Sequence, residues 1–148
     1  MHVYMPRRSA NVVGPAAPGG RLRRGQAPVN GRVDEFGRAL ITLSIRANRD
    51  AEPTEMQAWI DTAFNGELVM PGQLIQSAQL EQTAGIEARL ADGSTVMLES
   101  FTCYLEWFGE DRPVEVIANE GEFPLLGIGL LLSHRLVVDY TQLTVTIE

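Results

Sequence analysis

The chain reads as mainly β: a small closed antiparallel β-barrel or folded sheet carrying one or two short helices. Three observations predict it. Short apolar runs alternate with polar residues at period two, the signature of half-buried strands. Turn signals punctuate those runs at spacings of about 8–12 residues, as in small all-β folds. Asp92-Gly93 lies between two such runs, a strong local signal for a hairpin. No internal repeat is visible.

Taken in order, Val33 leads into the turn residues Asp34-Glu35-Phe36-Gly37. Ala39, Ile41, Leu43 and Ile45 then alternate with Leu40, Thr42, Ser44 and Arg46, which predicts a strand. After a loop over 47–54, residues 56–60 form the next strand, ending at Asp61. Asn65-Gly66 turns the chain into a short strand over 67–70. Pro71 suits the first position of a helix over 71–80, where no N–H partner is needed, and Leu74, Ile75, Ala78 and Leu80 follow at helical spacing. Residues 86–90 and 95–98 flank Ala91-Asp92-Gly93-Ser94 as one hairpin. Residues 101–108, a turn at Gly109-Glu110-Asp111-Arg112, and 113–118 form a second. The apolar block 123–132 holds a helical turn or two, and strands over 136–139 and 143–147 flank Tyr140-Thr141-Gln142.

A chain of 148 residues can bury one core without staples. Its net charge of −7 is unevenly spread. Residues 1–32 hold six arginines and no acid (+6), whereas 33–148 hold six arginines and nineteen acids (−13). Residues 1–30 are therefore a basic, Pro/Gly-rich tail with little to bury, expected to be disordered, and 31–148 form the domain. The acidic domain argues against nucleic-acid binding, leaving only the Arg-rich tail for such a contact. No apolar run reaches the ~18 residues that span a bilayer. The first residues lack the basic-then-apolar order of a secretory signal. A cytoplasmic location without membrane contact is the expectation. The single cysteine, Cys103, cannot form an internal disulfide and reads as a small core residue of a strand.

Most chemistry is excluded by elimination. His2 and His134 cannot make a metal site between them, and no cofactor is expected. Gly127-Ile128-Gly129 has no basic neighbour and reads as close packing rather than a phosphate cradle. No Ser or Cys sits in a nucleophile elbow, and Glu106, Glu110 and Glu115 read as a solvated face. Asp61 alone stands directly after an apolar strand and before a turn. One carboxylate is a poor catalyst of peptide hydrolysis. Two that share a proton are a good one, because close like charges cannot both ionise. Asp34, Asp50, Asp92, Asp111 and Asp139 lie at turns or strand ends, and none precedes Ser or Thr. A dyad therefore needs two copies of Asp61 meeting across a two-fold axis.

Four features spread over about residues 31–148 resemble the retropepsin-like aspartic proteases, specifically their single-lobed bacterial members. Ile60-Asp61-Thr62-Ala63 is similar to the apolar–Asp–Thr/Ser–Gly signature, and the stretch from Phe64 to Pro71 to the segment that follows it. Leu90-Ala91-Asp92-Gly93-Ser94 stands where the family has its flap hairpin. Leu125-Leu126-Gly127, followed by Ile128-Gly129-Leu130-Leu131, looks like the apolar–apolar–Gly motif that packs beneath the catalytic loop. The resemblance implies a closed, mostly antiparallel barrel of retropepsin type and a homodimeric aspartic endopeptidase acting on polypeptides. Each subunit would contribute Asp61 to the dyad, and Thr62 would bond across to the partner loop. The flap residues Ala91, Asp92 and Gly93 would close over an extended peptide paired as an added strand, with Ala63 against its backbone. The alternative is a peptide-binding module that keeps the fold but has little or no turnover. The departure from the pattern is Ala63, where the family carries Gly; at positive φ its methyl would cost about 1 kcal/mol.

Overall fold

The computed structural model describes Val3–Tyr4 and residues 26–148. Its strands are β1 (Val3–Tyr4), β2 (Val29–Val33), β3 (Ala39–Arg46), β4 (Thr54–Ile60), β5 (Leu68–Pro71), β6 (Glu81–Leu90), β7 (Thr95–Trp107), β8 (Glu110–Asn119), β9 (Leu125–Leu126), β10 (Leu136–Asp139) and β11 (Thr144–Ile147). One α-helix, α1 (Gly72–Ser77), and one 3-10 turn, Ile128–Leu130, complete the elements. The strands lie in one sheet in the order β1-β6-β7-β8-β5-β9-β4-β3-β2-β11-β10. A further pairing of β3 with β7, Ile45 opposite Leu105 and Arg46 opposite Tyr104, joins strands that are distant in that order. β3, β4, β9, β5, β8 and β7 thus form a closed barrel. The pairings are antiparallel except β4–β9 and β5–β8, which are parallel.

Period-two burial sets the faces. Ile41, Leu43 and Ile45 of β3 and Met56, Ala58 and Ile60 of β4 point into the barrel, with Thr42, Gln57 and Trp59 outside. Leu68, Met70, Leu105, Val116, Leu126 and Ile147 meet them there, each fully buried. At about 1.5–3 kcal/mol for each large apolar side chain removed from water, this interior is the main source of stability. Phe64, Val69, Ala88 and Ile117 form a second, smaller cluster beneath the β6–β7 hairpin. Cys103 is fully buried, as expected for a core residue.

Several boundaries differ from expectation. The second hairpin turns at Phe108-Gly109, not over 109–112, because both residues take positive φ (51° and 80°), as a two-residue turn matching strand twist requires. Glu110, Asp111 and Arg112 consequently pair with Trp107, Glu106 and Leu105. The segments expected at 95–98 and 101–108 are one strand, since Glu99 and Ser100 are paired with β6. Pro71 is the last residue of β5, opposite Asn119, and precedes the helix rather than opening it. The short helix ends by Ala78, and Gln79 at φ 56° turns the chain away. Of residues 1–30, expected to be disordered, Val3–Tyr4 pairs with β6, and Val29 and Asn30 open β2 opposite Ile147 and Thr146, so the ordered domain starts before residue 31; residues 1–2 and 5–25 lie outside those described. No described helix is long and apolar enough to cross a membrane.

Candidate active site

The site is built where β4 ends. Ile60 is buried and paired in parallel with Leu126, and the Asp61 N–H extends that ladder by donating to the Leu126 carbonyl at 2.9 Å. The chain then leaves the sheet. Asp61 Oδ1 accepts the Ala63 N–H at 2.9 Å, and the Phe64 N–H donates to the Asp61 carbonyl at 3.2 Å. This tight turn fixes the carboxylate to its own loop, while Thr62 and Ala63 are exposed at the tip. Ala63 is absent from the described non-glycine residues with positive φ, which are Gln79, Phe108, Ser133 and Leu143. The methyl at 63 therefore carries no left-handed strain.

The loop is held from below by the 127–129 stretch. The N–H groups of Gly127, Ile128 and Gly129 donate to the carbonyls of Glu67, Phe64 and Gly66 at 2.8, 2.8 and 2.9 Å. Such contact needs glycine. A Cβ on Gly127 would stand 2.3 Å from the Gly66 carbonyl oxygen, and one on Gly129 2.8 Å from the same atom. The sequence reading of this stretch as close packing is the observed role. A side-chain clamp reinforces it: Glu67 accepts the Glu115 N–H at 3.0 Å and pairs with Arg112 at 3.1 Å.

A cleft of about 740 Å³ opens beside Asp61. Phe64, Val69, Ile117 and Leu125 line it from the barrel, and Leu90 with Val96, Met97 and Leu98 from the β6–β7 hairpin. Its polar lining is Asp61, Glu99, Asn119 and Glu120. The hairpin stands at the position expected for the flap, and its tip is a three-residue loop. Gly93 donates to the Leu90 carbonyl at 3.0 Å and takes φ 87°, so Leu90 to Gly93 form a hydrogen-bonded turn that ends on a left-handed glycine. Hydrogen bonds from the Ser94 hydroxyl and N–H lower the Asp92 carboxyl pKa below its ordinary value. Asp61 lines the cleft, whereas Thr62, Ala63, Ala91, Asp92 and Gly93 are outside its lining.

Sequence reasoning missed Glu99, Asn119 and Glu120, which come from β7, the end of β8 and the loop beyond it and share no local pattern. It also missed an aromatic cluster on the outer side of the β4–β9 pair. There the Arg38 guanidinium lies 4.7 Å from the Phe123 ring centroid and 5.9 Å from that of Trp59. Asp34 holds it in place at 2.7 Å. Burial pushes the Asp34 carboxyl up, but the bonds from Arg38 and the Phe36 N–H outweigh it and hold the pKa below its ordinary value. The Arg–Ala–Leu order at 38–40 offered no sign of it, since the Trp59 and Phe123 rings arrive from two other segments. Among the described residues no group of three or more His, Cys, Asp or Glu is placed to hold a metal ion.

No family model and no curated protein matches the sequence. The fold does have solved counterparts. It is similar to the crystal structure of a retropepsin-like aspartic protease from Rickettsia conorii, with a TM-score of 0.57 and 13% identity, covering 82% of this chain and 89% of that one. The chain has a retropepsin-like fold. EIAV protease complexed with the inhibitor HBY-793 is also similar, at a TM-score of 0.46 and 16% identity over 64% of this chain and 85% of that one.

Proposed function

We propose that the protein is an aspartic endopeptidase whose dyad forms when two copies bring their Asp61 carboxylates together. The observation that carries this reading is the placement of Asp61. It ends a buried strand, is fixed by its own turn and by the glycine stretch beneath, and opens into a cleft roofed by a hairpin. The exposed Thr62–Ala63 tip leaves the loop free to meet its two-fold mate. In the dyad one carboxylate is ionised and takes a proton from water, while the protonated partner donates to the scissile carbonyl. Thr62 would hold the two loops in register, and the flap around Ala91, Asp92 and Gly93 would pair with an extended peptide. Ala63 faces that peptide in place of the family glycine, and a module that binds peptides without turnover is the reading it favours in second place.

The test is cleavage of a peptide library by wild type and Asp61→Asn between about pH 4 and 7. Wild type is expected to cleave and the variant not to; equal activity in both would sink the proposal. Sedimentation is expected to give a dimer, and a strict monomer at concentrations where cleavage proceeds would remove the two-chain dyad. Peptide binding without turnover, unchanged in Asp61→Asn, would establish the second reading instead.

A further inference from the structure

We propose that the cleft has a built-in competitor, the chain's own basic segment, which docks by strand addition on the open edge of the flap at Val3–Tyr4. This rests on the peptide-binding reading of the cleft and adds its regulation. Three independent observations support it.

The first is the pairing itself. β1 lies at one end of the sheet, antiparallel to β6, with Val3 opposite Leu90 and Tyr4 opposite Arg89. Without β1 the outer edge of β6 is an open strand edge, and such an edge recruits any extended chain within reach. Leu90 directs its backbone groups into the hairpin: its N–H donates to Ser94 at 2.8 Å and its carbonyl accepts from Gly93 at 3.0 Å. By strand alternation the N–H and carbonyl of Arg89 face outward, toward Tyr4. The second observation is location. Leu90, opposite Val3, is itself a lining residue of the Asp61 cleft, so the docked strand stands at the cleft's rim. An extended peptide pairing with this flap edge needs the same hydrogen-bonding groups.

The third is charge. Every ionisable residue lining the cleft is acidic, namely Asp61, Glu99 and Glu120. Residues 1–32 carry six arginines and no acid, and Arg7-Arg8 follow Tyr4 closely. The match selects a cationic peptide, and one is tethered. From Tyr4 to Gln26 the backbone can span roughly 70–80 Å at full extension, ample for docking on the same chain. Loop closure costs grow only logarithmically with length, and tethering gives an effective concentration of about millimolar. Even a weak strand addition then competes with a free peptide.

The experiment uses the full chain carrying Tyr4→Pro, which removes the Tyr4 N–H and blocks strand pairing without touching the barrel. Amide exchange is read in an Asp61→Asn background, so that no turnover is needed. The Arg89 amide is expected to exchange about tenfold faster in Tyr4→Pro, with Leu43 in the barrel unchanged. Raising salt is expected to speed Arg89 exchange in the parent but not in Tyr4→Pro. With Asp61 intact, Tyr4→Pro is expected to lower KM for an Arg-containing peptide about three- to tenfold at unchanged kcat. Equal Arg89 exchange in both chains would overturn the docking, and faster exchange with an unchanged KM would overturn the competition. If neither chain cleaves any peptide, the endopeptidase reading fails while the exchange result still decides the docking; competition is then read from binding of the same peptide.

Discussion

Replacing Gly127 by Ala attacks the support of the Asp61 loop without touching the carboxylate. The added Cβ would stand 2.3 Å from the Gly66 carbonyl oxygen, 2.4 Å from Phe64 Cδ1 and 2.8 Å from the Phe64 carbonyl oxygen, against 3.4 Å for ordinary contact. Two of these obstacles are backbone and the third belongs to a buried ring, so no rotamer change relieves the clash. The loop or the strand beneath it must retreat by about 1 Å. Overpacking of this kind costs about 1–3 kcal/mol. The retreat also breaks one or two of the three bonds from 127–129, at about 1 kcal/mol each. The sum is roughly 2–5 kcal/mol, a large part of the 5–15 kcal/mol typical of a domain. At about 2–4 °C per kcal/mol for a chain of this size, Tm is expected to fall by roughly 4–20 °C. Urea titration and thermal melting measure the loss, and kcat/KM, measured well below Tm, is expected to drop about 10- to 100-fold from the displaced carboxylate. Gly129→Ala is the milder comparison: its Cβ meets the Gly66 carbonyl oxygen at 2.8 Å and the Gly66 carbonyl carbon and Glu67 Cγ at 3.0 Å, none closer than 2.8 Å, so about 1–2 kcal/mol is expected. A Gly127→Ala protein melting within about 2 °C of wild type, with unchanged kcat/KM, would refute the reasoning.

Three further outcomes follow from the same geometry. His134 stacks on Phe108 at 4.4 Å, and burial, with Arg112 nearby, holds its pKa below 6.5 against an opposing backbone hydrogen bond at Glu148. The unfolded chain therefore binds the proton more readily, and the stability from neutral His134 is present above about pH 6.5 and lost as pH falls through the lower folded value. Denaturation midpoints measured from about pH 7.5 to 5 should show that slope, and His134→Phe should flatten it. Burial, with the charge of Glu67, pushes the Cys103 thiol up to about 12. Native protein should consequently react with a disulfide reagent at about pH 8 only as fast as it opens, and rapid labelling of the native state would contradict this. Ala63→Gly relieves no backbone strain, so stability should stay level or fall by up to about 1 kcal/mol, while KM for a peptide drops as the methyl leaves its path. A marked rise in Tm would count against that account.

What could be read from the sequence was what local chemistry dictates. Alternation at Ile41, Leu43 and Ile45 located β3, and the apolar run before Asp61 located β4 and the carboxylate at its end. Asp92-Gly93 located the β6–β7 hairpin, and Gly127-Ile128-Gly129 declared itself as close packing, though not what it packs against. The misses share one cause: they depend on partners distant in the chain. Ser100 reads as a polar break, yet it is fully buried, paired with Ala84 on one side and Ile117 on the other, and β7 runs straight through it. Phe108 has no local reason to adopt positive φ; the twist of β7 and β8 imposes it. Glu67 and Arg112 form their pair across 45 positions, and Glu99 and Glu120 meet Asp61 only because the barrel closes. Ladder pairing thus overrode local polarity at Ser100, and fold closure assembled the rim of the cleft.

The parallel pairing of β4 with β9 has a consequence in time. Asp61 is made long before Leu126 and Gly127, the residues that complete its ladder and support its loop. At roughly 5–20 residues per second, a growing chain carries Asp61 for several seconds before the segment that orders it emerges. During that interval the acid is only a side chain on an unsupported strand. On the proposed endopeptidase reading, competence would begin only once the barrel has closed.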